Sequence, residues 1–216
     1  MHQDARKRAA EEFLVKIGNY YDGKLAQFGP VPRGVDWNDA QSQECRFKQL
    51  LAVCRDRKSF SINDHGCGYA GLLDYLSARH PGISYHGFDI SHSMIEAAKS
   101  RFGGRPGVSF GVGSKADRSA DFTVACGIFN VKLDAPGTEW LAYIFDVLSD
   151  MDRTSSIGFA FNCLTRYSDR DRMRPDLYYA DPNRLFDYCK RNFSPDVALL
   201  HDYGLFEFTI VVRKAV

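Results

Sequence analysis

The chain has 216 residues, with 28 basic and 27 acidic side chains and a formal net charge of +1. This length suffices for one sizeable domain, and the charge balance gives no long-range field that would favour nucleic acid. No apolar run approaches the roughly 20 residues that span a bilayer, and the charged N-terminus lacks the apolar core of a signal peptide.

The first 59 residues precede the first predicted strand and carry two helical patterns. A charged helix comes first, followed by a proline- and glycine-containing loop at 28–37. A second helix has Phe47, Leu50 and Cys54 at helical spacing. We expect residues 1–59 to be an N-terminal helical cap on a single folding unit that occupies residues 60–216.

From residue 60 onward, apolar runs alternate with helical patterns. The runs predict strands at 60–63, 83–88, 108–112, 122–126 and 157–163. A helix at 138–151 places Trp140, Ile144 and Leu148 on one face, and Ser91 is the expected N-cap of another helix. This alternation is typical of a doubly wound α/β fold with helices on both faces of a parallel sheet.

The C-terminal end departs from this alternation. Strand-like runs at 197–201 and 206–212 are separated by four residues only. A parallel crossover needs a dozen or more residues, so these runs must form an antiparallel hairpin. The predicted fold is therefore a seven-stranded, mostly parallel sheet with an antiparallel C-terminal hairpin strand.

A glycine-rich turn follows the first predicted strand, in the segment 64–68 with the sequence DHGCG. Its two glycines lack the Cβ atoms that would keep a ligand away from the backbone, and the next helix points its N-terminus at that ligand. Asp89 closes the second strand 21 residues after Gly68. An acidic residue there can accept hydrogen bonds from both ribose hydroxyls of a nucleoside.

These segments resemble the class I, Rossmann-like methyltransferases that depend on S-adenosylmethionine (SAM). The sequence Asp64-x-Gly-Cys-Gly68 is similar to the family's first motif, and Phe88-Asp-Ile-Ser91 followed by Met94 is similar to its second. The C-terminal hairpin is also a family feature. The resemblance covers about residues 35–216, and the segments 34–37 and 43–47 are similar to a lead-in of small bacterial members.

Two positions depart from the family pattern. Ala70 stands where the first motif usually has its last glycine, and we expect its methyl group to be tolerated in helix–strand packing. Gly113-Ser114-Lys115 stands where the family often has an acidic residue near the adenine amine. Adenine recognition is therefore expected to rest on Ser114 or on backbone groups.

The resemblance implies SAM as the cofactor and S-adenosylhomocysteine (SAH) as the product. A dinucleotide is the competing cofactor, but its pyrophosphate usually calls for a third glycine that is absent here. Asp64 or a nearby carbonyl suits the methionine ammonium, and Arg46 is expected to reach the methionine carboxylate. The predicted cofactor-binding residues are Trp37, Arg46, Asp64, Gly66, Cys67, Gly68, Asp89, Ile90, Met94, Gly113, Ser114, Cys126 and Gly127.

The residues around the methyl acceptor are predicted from the chemistry of in-line transfer, which requires positioning and exclusion of water. Aromatic rings suit the sulfonium cation. Asn130 follows the fourth strand and either orients the acceptor or satisfies a turn. The charge-dense loop at 165–182 is interpreted as a lid, with a solvated loop as the alternative. The predicted catalytic residues are Asn130, Tyr21 and Tyr178, and the predicted substrate contacts are Tyr20, Asn162, Tyr167 and Tyr179.

Six cysteines occur without a Cys-x-x-Cys pair, which indicates free thiols and a cytoplasmic location. Cys67, Cys126 and Cys163 end or follow strands that the family fold makes neighbours. A metal site is the less expected interpretation, because free cysteine is mostly a small buried hydrophobe. We therefore predict no metal.

The predicted function is transfer of a methyl group from SAM to an oxygen, nitrogen or sulfur atom of a small molecule, by a monomer or homodimer without nucleic-acid or membrane partners. Two alternatives stay open. A nucleic-acid or protein methyltransferase is disfavoured by the near-neutral charge and by the absence of Asn/Asp-Pro-Pro-Tyr after the fourth strand. A non-catalytic SAM-binding regulatory protein is allowed by the departures at Ala70 and Ser114. The identity of the acceptor does not follow from the fold.

Overall fold

The computed structural model describes residues 2–214, with side chains from residue 11 onward. The strands are β1 (Ser61–His65), β2 (Ser84–Asp89), β3 (Val108–Val112), β4 (Ala120–Ala125), β5 (Ser155–Leu164), β6 (Asp196–Leu200) and β7 (Glu207–Arg213). The helices are α1 (His2–Phe28), α2 (Ala40–Leu50), α3 (Gly71–Ser77), α4 (His92–Phe102), α5 (Gly137–Thr154) and α6 (Pro182–Asn192). All seven predicted strands are present, with ends that differ by two residues at most.

The seven strands form one sheet in the order β3-β2-β1-β4-β5-β7-β6. β1 pairs in parallel with β2 and with β4, whereas β7 runs antiparallel to both β5 and β6. The predicted hairpin is therefore confirmed. The strand order reverses between β1 and β4, and in open α/β sheets ligands bind beyond the carboxyl ends of the strands at that point.

Helices cover both faces of the sheet, since successive strand residues point to opposite sides. On one face, Trp140 and Ile144 of α5 are fully buried against β5 and β7, as the helical period predicts. On the other face, Leu50 of α2 and Leu73 of α3 are fully buried against β1 and β4. Ser91 caps α4 as predicted, because its side chain accepts a hydrogen bond from the Met94 N–H.

The N-terminal helices contribute to both core clusters. Phe13 and Ile17 of α1 pack with α5, and Phe47 of α2 packs with α3. Asp22 of α1 accepts hydrogen bonds from the hydroxyl groups of Ser91 and Ser93, each at 2.5 Å. These contacts hold α1 beside the N-terminus of α4. None of the helices that the structure describes is long and apolar enough to cross a membrane.

Candidate functional site

A cavity of about 880 Å³, the first cavity, opens at the carboxyl ends of β1, β2 and β4. The glycine turn after β1 and the segment after β4 form its floor, and α1 and α5 contribute Leu14, Ile17, Tyr21 and Tyr143. Most of the residues predicted to bind the cofactor line it. They are Trp37, Asp64, Gly66, Cys67, Gly68, Asp89, Ile90, Met94, Gly113, Cys126 and Gly127.

The turn after β1 needs its glycines for their backbone conformation. Gly66 and Gly68 have φ of 71° and 52°, and a Cβ on Gly66 would lie 2.2 Å from Ile128 Cγ2. Ala70 also adopts a left-handed conformation, with φ of 64°, and is fully buried. Besides the expected packing, the backbone conformation of this position therefore favours glycine. An alanine in that conformation costs about 1 kcal/mol of backbone strain, which glycine would avoid.

Asp89 is held in a defined orientation at the end of β2. Its carboxylate accepts hydrogen bonds from the N–H groups of Gly68 and Ser91, both at 2.9 Å. Burial raises the pKa of Asp89, against these two hydrogen bonds, which lower it. Each carboxylate oxygen keeps a second lone pair, so the side chain can still accept hydrogen bonds from a pair of vicinal hydroxyls.

Asp64 lies at the end of β1 and is almost fully buried. Burial raises its pKa to about 7, although the hydroxyl of Tyr85, which donates a hydrogen bond to Asp64 at 2.5 Å, lowers it. A cation nearby would favour the ionised carboxylate. Asp64 is therefore suited to a positively charged group in the first cavity.

A second cavity, of about 630 Å³, adjoins the first. Tyr21, Val35, Trp37 and Gly127 line both cavities and form the wall between them. The rest of the lining combines apolar side chains with two acidic and two basic ones. It consists of Asp36, Asn38, Arg46, Asn130, Val131, Leu164, Arg174, Leu177 and Glu207.

The charged groups of the second cavity are paired within the protein. Asp36 accepts hydrogen bonds from the Tyr20 hydroxyl at 2.6 Å and from Lys24 Nζ at 2.7 Å. Burial alone would raise the pKa of Asp36, but these two hydrogen bonds lower it below its usual value, so the carboxylate is ionised. Arg174 pairs with Asp176 at 2.5 Å. The cavity is therefore polar without a large net charge.

Two of the three predicted catalytic residues line the second cavity, namely Tyr21 and Asn130. Burial raises the pKa of Tyr21 far above its usual value, so its hydroxyl can donate a hydrogen bond but not act as a base. Asn130 Oδ1 accepts from the Leu164 N–H at 3.0 Å, so the residue also satisfies the turn. Tyr178 lines neither cavity and packs against the apolar cluster around α5, so its catalytic role stays a prediction without support from this geometry.

The four predicted substrate contacts line neither cavity, and a contact of any of them with a substrate stays a prediction. Asn162 is fully buried, and both ends of its amide are bound within the protein. The Tyr20 hydroxyl is bound to Asp36, and the Tyr179 hydroxyl accepts from a backbone N–H of the loop. Tyr167 is 62% exposed. The loop at 165–182 lines the second cavity with an arginine and a leucine rather than with tyrosines.

Two predicted cofactor residues, Arg46 and Ser114, lie outside the lining of the first cavity. Arg46 lines the second cavity instead, where it pairs with Glu207. Glu207, Asp36 and Arg174 were not predicted from the sequence. For Glu207 a signal existed, because an acidic residue opens an otherwise apolar strand. No comparable pattern marked Asp36 or Arg174.

The cysteines of the site are enclosed thiols. Cys67 and Cys126 line the first cavity, whereas Cys163 is buried elsewhere in the core. Burial raises the pKa of the Cys67 and Cys126 thiols well above their usual range, so both are neutral. Among the side chains that the structure describes, from residue 11 to 214, no group of three or more histidine, cysteine, aspartate or glutamate residues is arranged to hold a metal ion.

Sequence comparison gives two matches. The family described as "Methyltransferase domain" matches residues 64–151. The protein "Putative methyltransferase Rv1506c" of Mycobacterium tuberculosis is 58% identical over 156 residues, which are 72% of this chain and 94% of that protein.

Solved structures share the fold at low identity. A structure described as "DhpI-SAH complex structure" has a TM-score of 0.63 at 14% identity, over 94% of this chain and 97% of that one. The methyltransferase domain of bacterial CtHen1 has a TM-score of 0.60 at 16% identity, over 80% and 99% of the two chains. Human N-acetylserotonin methyltransferase in complex with SAM has a TM-score of 0.56 at 17% identity. The match covers 80% of this chain but only 51% of the human protein.

Proposed function

The chain belongs to the SAM-dependent methyltransferases, and on that premise we propose that it transfers the methyl group of SAM to a small molecule bound in the second cavity. The observation that carries the proposal is the pair of adjoining cavities with a shared wall at Trp37 and Gly127. The first cavity has the groups that a nucleoside cofactor needs. The second has a lining of apolar side chains with a few polar groups, as small-molecule sites do.

SAM fits the side chains of the first cavity. Asp89 is oriented to accept hydrogen bonds from the ribose hydroxyls, and Ile90 and Met94 offer apolar surface for the adenine. The ionisable carboxyl group of Asp64 suits the methionine ammonium, and Gly127 leaves space for the methionine portion. When bound, SAM supplies an electrophilic methyl group on its sulfonium sulfur.

The residues of the chain contribute positioning and exclusion of water. The rings of Tyr21 and Trp37 stand where the two cavities meet, and aromatic rings can contact a sulfonium cation at little desolvation cost. The Tyr21 hydroxyl and the amide of Asn130 provide polar groups that can orient an acceptor. A neutral amine or a thiolate needs no general base, and we assign none. Catalysis then rests on holding the two reactants in line.

The proposal is tested in two steps. Calorimetry with SAM and SAH measures cofactor binding, for which we expect micromolar dissociation constants; a protein that binds neither would refute the cofactor assignment. SAM labelled in its methyl group is then incubated with the protein and with separate small-molecule, protein and nucleic-acid fractions of a cell extract. We expect label in the small-molecule fraction. Label in a macromolecular fraction alone, or none anywhere despite SAH binding, would refute the proposed acceptor class.

A further inference from the structure

Five residues form a closed ring of contacts that includes the wall between the cavities. The Gly127 N–H donates to Asn162 Oδ1 at 2.7 Å, and Asn162 Nδ2 donates to Glu207 Oε2 at 2.5 Å. Arg46 donates to the Glu207 carboxylate through Nε and Nη2 at 2.6 to 3.0 Å. The guanidinium carbon of Arg46 lies 4.0 Å from the centre of the Trp37 ring. Trp37 packs on Gly127 so closely that a Cβ there would be 2.4 Å from the indole.

The three polar side chains of the ring are almost completely shielded from solvent. Asn162 is 0%, Glu207 2% and Arg46 8% exposed. A buried ion pair is a weak source of stability, because apolar side chains of the same volume often stabilise a core equally well. It does fix the relative positions of the two side chains, because the planar guanidinium binds the carboxylate in a bidentate arrangement. The ring therefore fixes positions more than it raises stability.

The ring connects segments that are distant in the chain. Trp37 and Arg46 come from the N-terminal cap, Gly127 follows β4, Asn162 is in β5 and Glu207 begins β7. Trp37 and Gly127 are the members that line both cavities, whereas Asn162 lines neither. Arg46 and Glu207 line the second cavity only. A displaced Asn162 or Glu207 would therefore move the wall without removing any group that lines the first cavity.

We propose that Asn162 and Glu207 are positioning residues that hold Gly127 and Trp37 against the methionine portion of SAM. This inference rests on the proposed function, since it requires SAM in the first cavity. The adenosine portion of the cofactor meets Asp89 and the surface near Gly113, which the ring does not contact. The ring should therefore control affinity for the amino-acid tail of the cofactor and leave affinity for its nucleoside unchanged.

The alternative to this positioning role is a direct contact between Arg46 and the cofactor. Its Nη1 has no hydrogen-bond partner among residues 11–214, whose side chains the structure describes, and could bind the methionine carboxylate itself. If Arg46 contacts the cofactor directly, loss of its Glu207 partner leaves the guanidinium free for that contact, and SAH affinity should be kept. If the ring positions the wall instead, loss of Glu207 should weaken SAH binding.

The experiment compares SAH with 5′-methylthioadenosine, which has the same nucleoside but no amino-acid tail. Glu207→Gln replaces one carboxylate oxygen with an NH2 group, which then faces a donor of Asn162 or of Arg46. We expect the dissociation constant of SAH to rise about tenfold, the equivalent of one lost hydrogen bond to a charged group. The dissociation constant of 5′-methylthioadenosine should not change. Asn162→Asp should behave in the same way, because it places two carboxylates in contact.

The double variant Glu207→Gln/Asn162→Asp provides the rescue. The new glutamine can donate to the new aspartate, which still accepts from the Gly127 N–H, and the net charge equals that of the wild type. We expect SAH affinity to recover to within about twofold of the wild-type value, as a coupled pair requires. This variant also keeps the test decisive if a single variant fails to fold.

Several outcomes would overturn the inference: wild-type SAH affinity in both single variants, an equal loss for both ligands, or a folded double variant without recovery. Weak SAH binding in Arg46→Met together with normal binding in Glu207→Gln would assign the effect to a direct contact of Arg46. A wild-type protein that binds neither ligand would contradict the proposed function instead, so the two failures are distinguishable.

Discussion

Replacement of Gly127 by alanine perturbs the wall between the cavities with a single methyl group. Gly127 has φ of 78°, and an L-residue in this conformation costs about 1 kcal/mol. The added Cβ would stand 2.4 Å from Trp37 Cζ2 and 2.6 Å from Cη2. Carbon atoms in contact prefer about 3.5 Å or more, so the indole must move by about 1 Å.

Trp37 has little freedom to move, because the guanidinium of Arg46 stacks on its ring and is itself bound to Glu207. We expect Gly127→Ala to lower the free energy of unfolding by about 1 kcal/mol through the backbone and by a further ~1–3 kcal/mol through overpacking. A wall displaced by about 1 Å should weaken SAH binding tenfold or more, on the order of the loss that such misplacements cause. Urea denaturation and calorimetry with SAH measure the two effects.

Gly204→Ala is the matched control. Gly204 lies between β6 and β7 with φ of 73°, and a Cβ there would meet no heavy atom within 4 Å. This variant should show the same backbone cost and unchanged SAH affinity, so the difference between the two variants isolates the contact with Trp37. Equal SAH affinity in both variants would refute the reasoning that the methionine portion rests on this wall.

Three further predictions concern acidic residues. Asp89→Ala should raise the dissociation constants of SAH and 5′-methylthioadenosine alike, on the order of 100-fold, because both ligands contain the ribose. The control is Asp121→Ala, at the opposite end of the strands, which should change neither dissociation constant. Burial raises the pKa of Asp64 to about 7, and a bound ammonium would lower it. SAH affinity should therefore fall as the pH drops below 7, by up to about tenfold per pH unit, and should not depend on pH in this range in Asp64→Asn. An equal slope in that variant would contradict the pairing. Asp22→Ala removes the hydrogen bonds from Ser91 and Ser93 that hold α1 beside α4 at the first cavity. This variant should speed SAH dissociation, measured by stopped flow, and an unchanged rate would argue against a covering role of α1.

The strands, the glycine turn and the hairpin could be predicted because they depend on local patterns. Alternation and turn residues set the strands, and a connection of four residues between 201 and 206 allows only an antiparallel pair. Asp89 could be assigned because a strand end and a following N-cap fix its place on the sheet. Most residues that line the first cavity could therefore be predicted from patterns that are local in the sequence.

The lining of the second cavity could not be predicted in the same way. Tyr167, Tyr178 and Tyr179 belong to a loop whose path depends on what it packs against, and tyrosine content alone does not give side-chain direction. Backbone hydrogen bonds between Asn130 and Tyr178 and between Lys132 and Asp176 set that path. They turn Arg174 rather than the tyrosines toward the second cavity.

The sequence by itself determined the sheet, its reversed strand and the cofactor edge, since each rests on residues close together in the chain. The tertiary structure alone decided the wall between the two cavities. Arg46 and Glu207 are 161 residues apart, and Gly127 and Asn162 are 35 apart. Hydrophobic periodicity reports which residues are buried but not which buried polar groups face one another. Only the assembled fold pairs them.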